Sequence, residues 1–324
     1  MGLNNTTYWD VFNGDADGIC ALLQLRLAEP KNSQLVTGVK RDIELLDRVE
    51  AKSDDQVTVL DISLDKNRDH LKCILDAGAD VFYVDHHFAG EIPNSSSLKT
   101  LINEAPDVCT SLLINQHLKG AYQQWAIVGT FGDNLKKSAL GLAKSQNLSD
   151  LDLVKLERLG ILINYNGYGA TVDDLHYHPA DLFNLMLPYK NPLDFISDCA
   201  HEYEKLENGY ENDFKSAESA NTLFSDNAVA VYVLPNEAWA RRVSGVFGNH
   251  LANLNPDRGH AILTNKADGN FLVSVRAPLN NKKGAADLCR KFPTGGGREA
   301  AAGINDLPES MVDDFIAQFR EQYS

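Results

Sequence analysis

Four short apolar segments near the amino terminus alternate with helical stretches, and this alternation limits the fold more than any other feature of the sequence. The apolar segments are residues 7–12, 35–39, 57–61 and 81–85; the stretches between them are helical at 19–28 and 65–77 and amphipathic at 43–51. Nearly continuous apolar strands that alternate with helices are typical of a parallel sheet covered by helices on both faces. The sequence therefore predicts an α/β fold with a parallel-sheet N-terminal domain.

The rest of the chain indicates a second, smaller α/β domain. Residues 107–165 have mainly helical patterns, residues 165–200 are rich in loop-forming glycine and proline, and strand patterns return after residue 226. A chain of 324 residues is long enough for two domains of about 100–200 residues each. We expect the N-terminal domain at 1–190, a connecting helix or linker at 191–225 and the C-terminal domain at 226–324.

Polar side chains collect where the apolar segments end. They are Asn13, Asp15 and Asp17 after the first strand, Asp61 at the end of the third, Asp85, His86 and His87 at the end of the fourth, and Asp133 after the apolar segment 126–132. Ligands of open parallel sheets bind at the carboxyl ends of the strands, so these side chains are expected at one edge. Carboxylates in one place repel one another unless a cation holds them, and Asp with His suits Mn²⁺. The pattern predicts a metal centre.

Some of these residues also have a structural interpretation. An Asp that follows a strand often caps the next helix, and this applies to Asp61 and Asp17 when each is considered alone. Three titratable residues in a row, as in 85–87, fit a purely structural role poorly. The four segments taken together therefore favour a site that performs chemistry.

The same residues resemble the motifs of a known family. Asp85-His86-His87 resembles the motif that gives the DHH phosphoesterase superfamily its name, and Asn-Gly-Asp-Ala-Asp-Gly at 13–18 resembles its first motif, in the form of the single-strand exonuclease branch. Asp61 resembles the second motif, and Asp133, in Gly-Thr-Phe-Gly-Asp, the fourth. The run Gly-Gly-Gly-Arg-Glu-Ala-Ala-Ala-Gly at 295–303 is similar to the glycine signature of the DHH-associated C-terminal domain, and 274–276 match the strand before it.

The resemblance implies two lobes with a cleft between them and two divalent metal ions, Mn²⁺ first, with Mg²⁺ or Co²⁺ as alternatives. The implied reaction is hydrolysis of phosphodiester or phosphomonoester bonds by a metal-activated water. The implied metal ligands are Asn13, Asp15, Asp17, Asp61, His86 and Asp133, while Asp85 orients a histidine and His87 contacts the phosphate or protonates the leaving oxygen. The substrate would bind to Arg276, Arg298 and the backbone N–H groups of Gly295, Gly296 and Gly297, at an expected helix start.

Two residues depart from the pattern of the superfamily. Asn13 stands where a metal-binding carboxylate is expected, so one ion would lose a charged ligand. Arg298 replaces the histidine of the glycine signature, which keeps a cation there and makes its charge permanent. Two alternatives therefore stay open: an inorganic pyrophosphatase-like hydrolase, and a catalytically silent nucleotide-binding module of the same fold.

Charge and cysteine content limit the partners. The net charge is −15, whereas residues 226–324 contain eleven basic and eleven acidic side chains. Such a protein is a poor binder of long nucleic acids, because phosphate neutralisation dominates that affinity. We expect a short oligonucleotide or nucleotide as substrate, no stable binding of long nucleic acid and no membrane; a homodimer stays open. Five scattered cysteines without a Cys-x-x-Cys pair predict a cytoplasmic location.

Overall fold

The structure is a computed structural model that describes residues 6–324. Its contacts divide the chain into two compact units, one that ends at Glu207 and one over residues 208–324. The division falls within residues 191–225, where the sequence predicts a connecting segment. Among the described residues, no helix is both long and apolar enough to cross a membrane.

The first unit contains a five-stranded sheet. Its strands are β1 (Tyr8–Phe12), β2 (Ser33–Val36), β3 (Gln56–Leu60), β4 (Asp80–Asp85) and β5 (Leu98–Ile102), in the order β2-β1-β3-β4-β5. Every neighbouring pair is parallel, which confirms the predicted parallel sheet. β5 has no clear signal in the sequence, because this edge strand is only partly buried and lacks a continuous apolar run.

Helices cover both faces of this sheet. The helices of this unit, some of which pack on other helices and not on the sheet, are α1 (Ala16–Ala28), α2 (Arg68–Asp76), α3 (Thr110–His117), α4 (Gln123–Gly132), α5 (Lys136–Ala143), α6 (Asp150–Asn166), α7 (Pro179–Met186) and α8 (Pro192–Asp198). The next helix, α9 (Ala200–Glu218), contains the division between the two units. Leu71 and Ile74 of α2 pack on the face that presents Val59, in a core shared with a short helical turn that follows β2. Because successive strand residues point to opposite faces, the neighbours of Val59 face α1, which is buried along nearly its whole length.

Two glycines allow α4 to lie very close to its neighbours. A Cβ on Gly132 would come within 2.2 Å of the Cβ of Ala16 in α1. A Cβ on Gly160 in α6 would come within 2.3 Å of the carbonyl oxygen of Val128. The carboxyl end of α4 is therefore fixed beside the amino end of α1, and this contact places Asp133 next to the first strand end.

The second unit is a six-stranded mixed sheet with helices. Its elements are β6 (Asn221–Ser225), β7 (Val229–Leu234), α10 (Ala238–Leu254), β8 (Gly259–Asn265), β9 (Phe271–Arg276), α11 (Ala285–Arg290), β10 (Gly295–Gly297), β11 (Ala301–Leu307) and α12 (Val312–Tyr323). The strand order is β10-β11-β9-β8-β7-β6, and only the pair β7–β8 is parallel among these described strands. Phe315 and Phe319 of α12 and Leu288 of α11 pack in one core, and α10 packs in another with Ile262. The predicted second α/β domain is confirmed.

One predicted helix is shorter than expected. The sequence pattern favours a single polar helix over residues 201–224, but α9 ends at Glu218 and residues 221–225 form β6. This strand lies at the edge of the second sheet and is mostly exposed, so it shows no apolar alternation. Its hydrogen bonds to β7, and not its own sequence, determine its structure.

A buried ion pair joins the first sheet to α1. Arg26 donates hydrogen bonds from Nε and Nη2 to the carboxylate of Asp10 at 2.7 and 2.5 Å, and Nη2 also donates to Oγ1 of Thr58 at 3.0 Å. Both charged side chains are at most 3% exposed. Removal of one member of such a pair leaves the other charge buried without compensation, which costs about 3–5 kcal/mol.

Asp10→Ala is therefore expected to lower the free energy of unfolding by about 3–5 kcal/mol, because Arg26 stays buried without its counter-ion. Asp76→Ala is the matched control, since the Lys72–Asp76 pair is 72% and 64% exposed and should affect stability far less. Urea denaturation of both variants measures the difference. Equal losses of stability would contradict the importance of the buried pair.

Candidate metal centre

The side chain of Asp15 links the end of β1 to the start of α1. It caps the helix: Oδ1 accepts hydrogen bonds from the backbone N–H groups of Asp17 and Gly18 at 3.0 and 3.1 Å. The sequence pattern allows Asp17 as the cap of this helix, but the cap is Asp15. The second oxygen of Asp15 lies 2.5 Å from Nζ of Lys40. Both oxygens of this carboxylate therefore accept hydrogen bonds from the protein.

Asp17 is fully buried and caps a different helix. Its Oδ2 and Oδ1 accept 2.7 Å hydrogen bonds from the backbone N–H groups of Thr110 and Ser111, in the first turn of α3. A carboxylate is favourable there because the first N–H groups of a helix have no partner within it and carry partial positive charge. Oδ2 of Asp17 also lies 3.9 Å from Nε2 of His86.

Asp61 follows β3 with an unusual backbone conformation. Its φ angle is 62°, in the left-handed region that few residues other than glycine, Asn and Asp adopt. The side chain is 2% exposed, and its Oδ1 accepts a 3.1 Å hydrogen bond from Oγ1 of Thr110. The next α-helix, α2, has Asn67 as its N-cap, so the interpretation of Asp61 as a helix cap is wrong. Conformations of this kind cluster at functional sites.

The three titratable residues at the end of β4 have different partners. Asp85 is completely buried, and its Oδ1 lies 2.7 Å from Nδ1 of His87. The other oxygen of Asp85 is buried and has no hydrogen-bond partner within residues 6–324. Nε2 of His86 lies 3.4 Å from Oδ1 of Asp61 and 3.8 Å from Oδ2 of Asp133. Asp85 thus orients His87, while His86 faces the carboxylates.

His86 is the common member of two groups that could hold a metal ion. The groups are Asp61, His86 and His87, and Asp17, His86 and Asp133, and the ligand atoms within each lie within 4.8 Å of one another. Asp133 comes from the end of α4 and not from a strand. Carboxylate oxygen and imidazole nitrogen are donors that manganese and similar divalent ions accept. The residues present therefore fit a divalent ion.

Burial and mutual repulsion perturb these carboxylates. Burial raises the pKa of Asp61 well above its ordinary value, and the charges of Asp17 and Asp15 raise it further. Burial and the same two charges raise the pKa of Asp133 to about 7, although Lys40 opposes this. A bound divalent cation would offset the repulsion and favour the ionised form of each group.

Lys40 is a member of the site that the sequence analysis did not single out. Its Nζ lies 2.5 Å from Oδ2 of Asp15, 2.9 Å from Oδ1 of Asn164 and 3.9 Å from Oδ1 of Asp133. Burial would raise the pKa of Asp15, but the charge and hydrogen bond of Lys40 outweigh it, so this pKa is lowered. A lysine shortly after a predicted strand is usually a surface charge, so the sequence carried no signal for this contact.

Asn13 is held by backbone groups. Its Oδ1 accepts a hydrogen bond from the N–H group of Asp15, and its Nδ2 donates one to the carbonyl oxygen of Lys40, both at 3.2 Å. The side chain is 4% exposed. A role for Asn13 as a metal ligand stays a prediction, whereas its role in joining the β1 and β2 loops is visible in these contacts.

The glycine run of the second unit is not at a helix start, so that expectation is wrong. Residues 295–297 form the edge strand β10, which pairs antiparallel with β11. A Cβ on Gly295 would lie 1.8 Å from the carbonyl oxygen of Cys289, and one on Gly297, whose φ is 139°, would lie 2.5 Å from Cα of Ala302. Gly297 therefore permits the tight hairpin with β11, and Gly295 permits the close approach to the end of α11, whereas Gly296 faces open space.

The two predicted substrate-binding arginines differ in their surroundings. The guanidinium of Arg276 donates hydrogen bonds to Oδ1 of Asn249 at 2.6 Å and to the carbonyl oxygen of Gly245 at 3.1 Å, both in α10. Arg298 lies in the turn between β10 and β11 and is exposed. Arg276 is thus held against its own unit, and Arg298 is open to solvent.

The raised pKa of Asp133 predicts how the stability of the metal-free protein depends on pH. Between the ordinary value of 3.8 and the folded value of about 7, the folded state keeps a proton that the unfolded state has lost. Stability should therefore fall as the pH rises through this window, and Asp133→Asn should flatten the change. Thermal denaturation in excess chelator at several pH values measures this; parallel curves for the two proteins would contradict the raised pKa.

Comparison with known proteins finds similarity in structure only. No family model and no curated protein matches the chain. Among solved structures, it is similar to the exonuclease RecJ bound to manganese, with a TM-score of 0.63 and 18% identity over 97% of this chain and 89% of that one. RecJ of Thermus thermophilus in complex with Mn²⁺ matches with a TM-score of 0.64 and 17% identity. That match covers 97% of this chain and 51% of the Thermus protein, so the chain spans about half of its length.

A third similar structure covers both chains almost entirely. The pGpG-specific phosphodiesterase PggH from Vibrio cholerae matches with a TM-score of 0.51 and 14% identity, over 98% of this chain and 100% of that one. Each of these three matches covers at least 97% of this chain, so it includes both the parallel sheet of the first unit and the mixed sheet of the second. The chain therefore has the same fold as these solved structures, which is the fold that the resemblance of its motifs to the DHH superfamily implied.

Proposed function

We propose that the chain is a divalent-metal-dependent phosphoesterase that hydrolyses short oligonucleotides or nucleotides, with water as the nucleophile. The observation that carries the proposal is the position of His86, whose Nε2 lies 3.4–3.9 Å from carboxylate oxygens of Asp61, Asp133 and Asp17. The similar structures support it, because RecJ is an exonuclease bound to manganese and PggH is a pGpG-specific phosphodiesterase.

Asp61, His86 and Asp133 are the residues that we propose as the principal metal ligands. Asp17 is a weaker candidate because each of its oxygens already accepts a backbone hydrogen bond. Mn²⁺ is the ion that we propose first, with Mg²⁺ and Co²⁺ as alternatives, since the donor set mixes carboxylates with imidazole. A divalent ion bound there would supply Lewis acidity: it would lower the pKa of a water molecule and offset charge on the phosphate.

His87 is the residue that we propose as the proton donor to the leaving oxygen. Its hydrogen bond to Asp85 raises the pKa of the ring above the ordinary value, although burial opposes this. The side chain is 45% exposed, so a substrate can reach it. A histidine that titrates near the working pH and contacts the leaving group can act as a general acid. Asp85 then acts as a positioning residue, because it fixes the orientation of this ring.

The second unit is where we propose that phosphate groups of the substrate bind. Residues 276–298 carry six basic side chains and one acidic one, within a unit of near-neutral charge. Arg298 is exposed there and can pair with a phosphate through two N–H groups. One local basic stretch in a chain of net charge −15 fits a short anionic substrate better than a long nucleic acid.

The proposal predicts hydrolysis of a short oligonucleotide such as pGpG, or of a chromogenic phosphodiester, in Mn²⁺ and its loss in excess chelator. His86→Ala should lower kcat by orders of magnitude, because it removes the residue shared by both ligand groups. The matched control is His70→Ala, since His70 is an exposed histidine on α2. Steady-state kinetics measure these effects, and full activity in chelator or in His86→Ala would refute the proposal.

The same assay separates substrate binding from metal binding. Arg298→Ala should raise KM by about 10- to 150-fold, which corresponds to about 1.5–3 kcal/mol for a charge-assisted hydrogen bond. Lys215→Ala, which removes an exposed cation of the second unit outside this basic stretch, is the control. Turnover of pyrophosphate alone would favour the pyrophosphatase alternative. No turnover of any phosphoester would favour the silent nucleotide-binding module.

A further inference from the structure

Lys40 is held in place at several points, so its ammonium group has a defined position. Its backbone N–H group donates a 2.8 Å hydrogen bond to the carbonyl oxygen of Gly167. Its own carbonyl oxygen accepts a hydrogen bond from Nδ2 of Asn13 at 3.2 Å, and its Nζ donates to Oδ1 of Asn164 at 2.9 Å. The side chain is 27% exposed. A lysine fixed at both backbone groups and at its tip is unlike a mobile surface lysine.

The ammonium of Lys40 lies close to two carboxylates. It is 2.5 Å from Oδ2 of Asp15 and 3.9 Å from Oδ1 of Asp133. The other oxygen of Asp133 lies 3.8 Å from Nε2 of His86. The carboxylate of Asp133 therefore lies between two cationic positions. One is the ammonium of Lys40, and the other is the place near His86 where a metal ion would bind.

Asn13 and Lys40 are matched to each other. A carboxylate at position 13 could not donate the hydrogen bond that the amide gives to the carbonyl oxygen of Lys40, and it would repel that oxygen. An amide in place of a carboxylate removes one negative charge, and the ammonium adds one positive charge. Together they change the local charge by two, which is the charge of one divalent ion.

We propose that the ammonium of Lys40 takes the place of a second metal ion, so that the site binds a single divalent ion on the side of His86. The resemblance to the superfamily implied two ions. Asp15 does not fit the second one, because its Oδ2 already accepts a hydrogen bond from Lys40 and its Oδ1 accepts hydrogen bonds from two backbone N–H groups. This inference rests on the proposed function, since both require a metal ion at His86. Lys40 is then a permanent part of the site, present whether or not metal is added.

The number of bound ions tests this directly. Equilibrium dialysis of the full chain against Mn²⁺ should give one tightly bound ion per wild-type chain, and its electron paramagnetic resonance spectrum should be that of an isolated ion. The double variant Asn13→Asp with Lys40→Met should bind two ions with a spin-coupled spectrum, because it restores a carboxylate and removes the competing charge. Lys31→Met, at a lysine that contacts Gln56 and the ring of Tyr8, is the control and should bind one.

Two tight ions with a coupled spectrum in the wild-type protein would overturn the inference and leave the proposed function intact. A folded double variant that still binds one ion would also overturn it. No bound ion in the wild type would overturn the proposed function as well. The wild-type measurement decides the matter even if the double variant does not fold, and Lys40→Arg, which keeps the positive charge, provides a second variant that should bind one ion.

Discussion

Repulsion between buried carboxylates is the constraint on which the arrangement of the first unit depends. Asp15, Asp17 and Asp61 are each at most 3% exposed and lie at one edge of one sheet. Unpaired charges cannot be buried without a large loss of free energy, so each carboxylate needs a donor nearby. Asp17 receives the N–H groups of α3, Asp15 receives the ammonium of Lys40, and Asp61 receives the hydroxyl of Thr110. The start of α3, Lys40 and Thr110 thus lie where buried carboxylates require hydrogen-bond donors.

The compensation is incomplete on one side of the cluster, and that side is where we propose that a metal ion binds. The pKa values of Asp61 and Asp133 are raised because burial and neighbouring charges disfavour their ionised forms. Nε2 of His86 faces both carboxylates. A divalent cation would satisfy all three groups at once, which links the stability of this edge to metal binding and, in the proposed function, to phosphoester hydrolysis.

The elements that the sequence predicts well are those whose burial is continuous. β1, β3 and β4 are central strands with apolar runs, and the polar residues at their ends make Asp61 and residues 85–87 candidates for a metal site from the sequence alone. The edge strands β5 and β6 were not predicted, because partly exposed strands depend on their neighbours for hydrogen bonds. A run of glycines is equally compatible with a hairpin and with a helix start. The close contacts with Cys289 and Ala302, which the sequence does not show, determine the conformation of residues 295–297.

Contacts distant in sequence account for what was missed within the site. Lys40 is 25 residues from Asp15 and 124 from Asn164, and no local sequence pattern predicts contacts between residues so far apart. The helix cap was assigned to Asp17 and not to Asp15 for the same reason. Asp17 lies in the first turn of α1, but its carboxylate accepts a hydrogen bond from the N–H group of Thr110, which is 93 residues away. Residue types predicted which side chains could ligate a metal, whereas tertiary packing determined which of them are already engaged.

The central claim is that the edge around His86 binds a divalent metal ion. An anomalous difference map from crystals grown with Mn²⁺, recorded at the manganese absorption edge, tests it most directly. The account predicts a peak in contact with Nε2 of His86 and with carboxylate oxygens of Asp61 and Asp133. A well-ordered site with no peak there, or manganese bound only elsewhere on the chain, would contradict it.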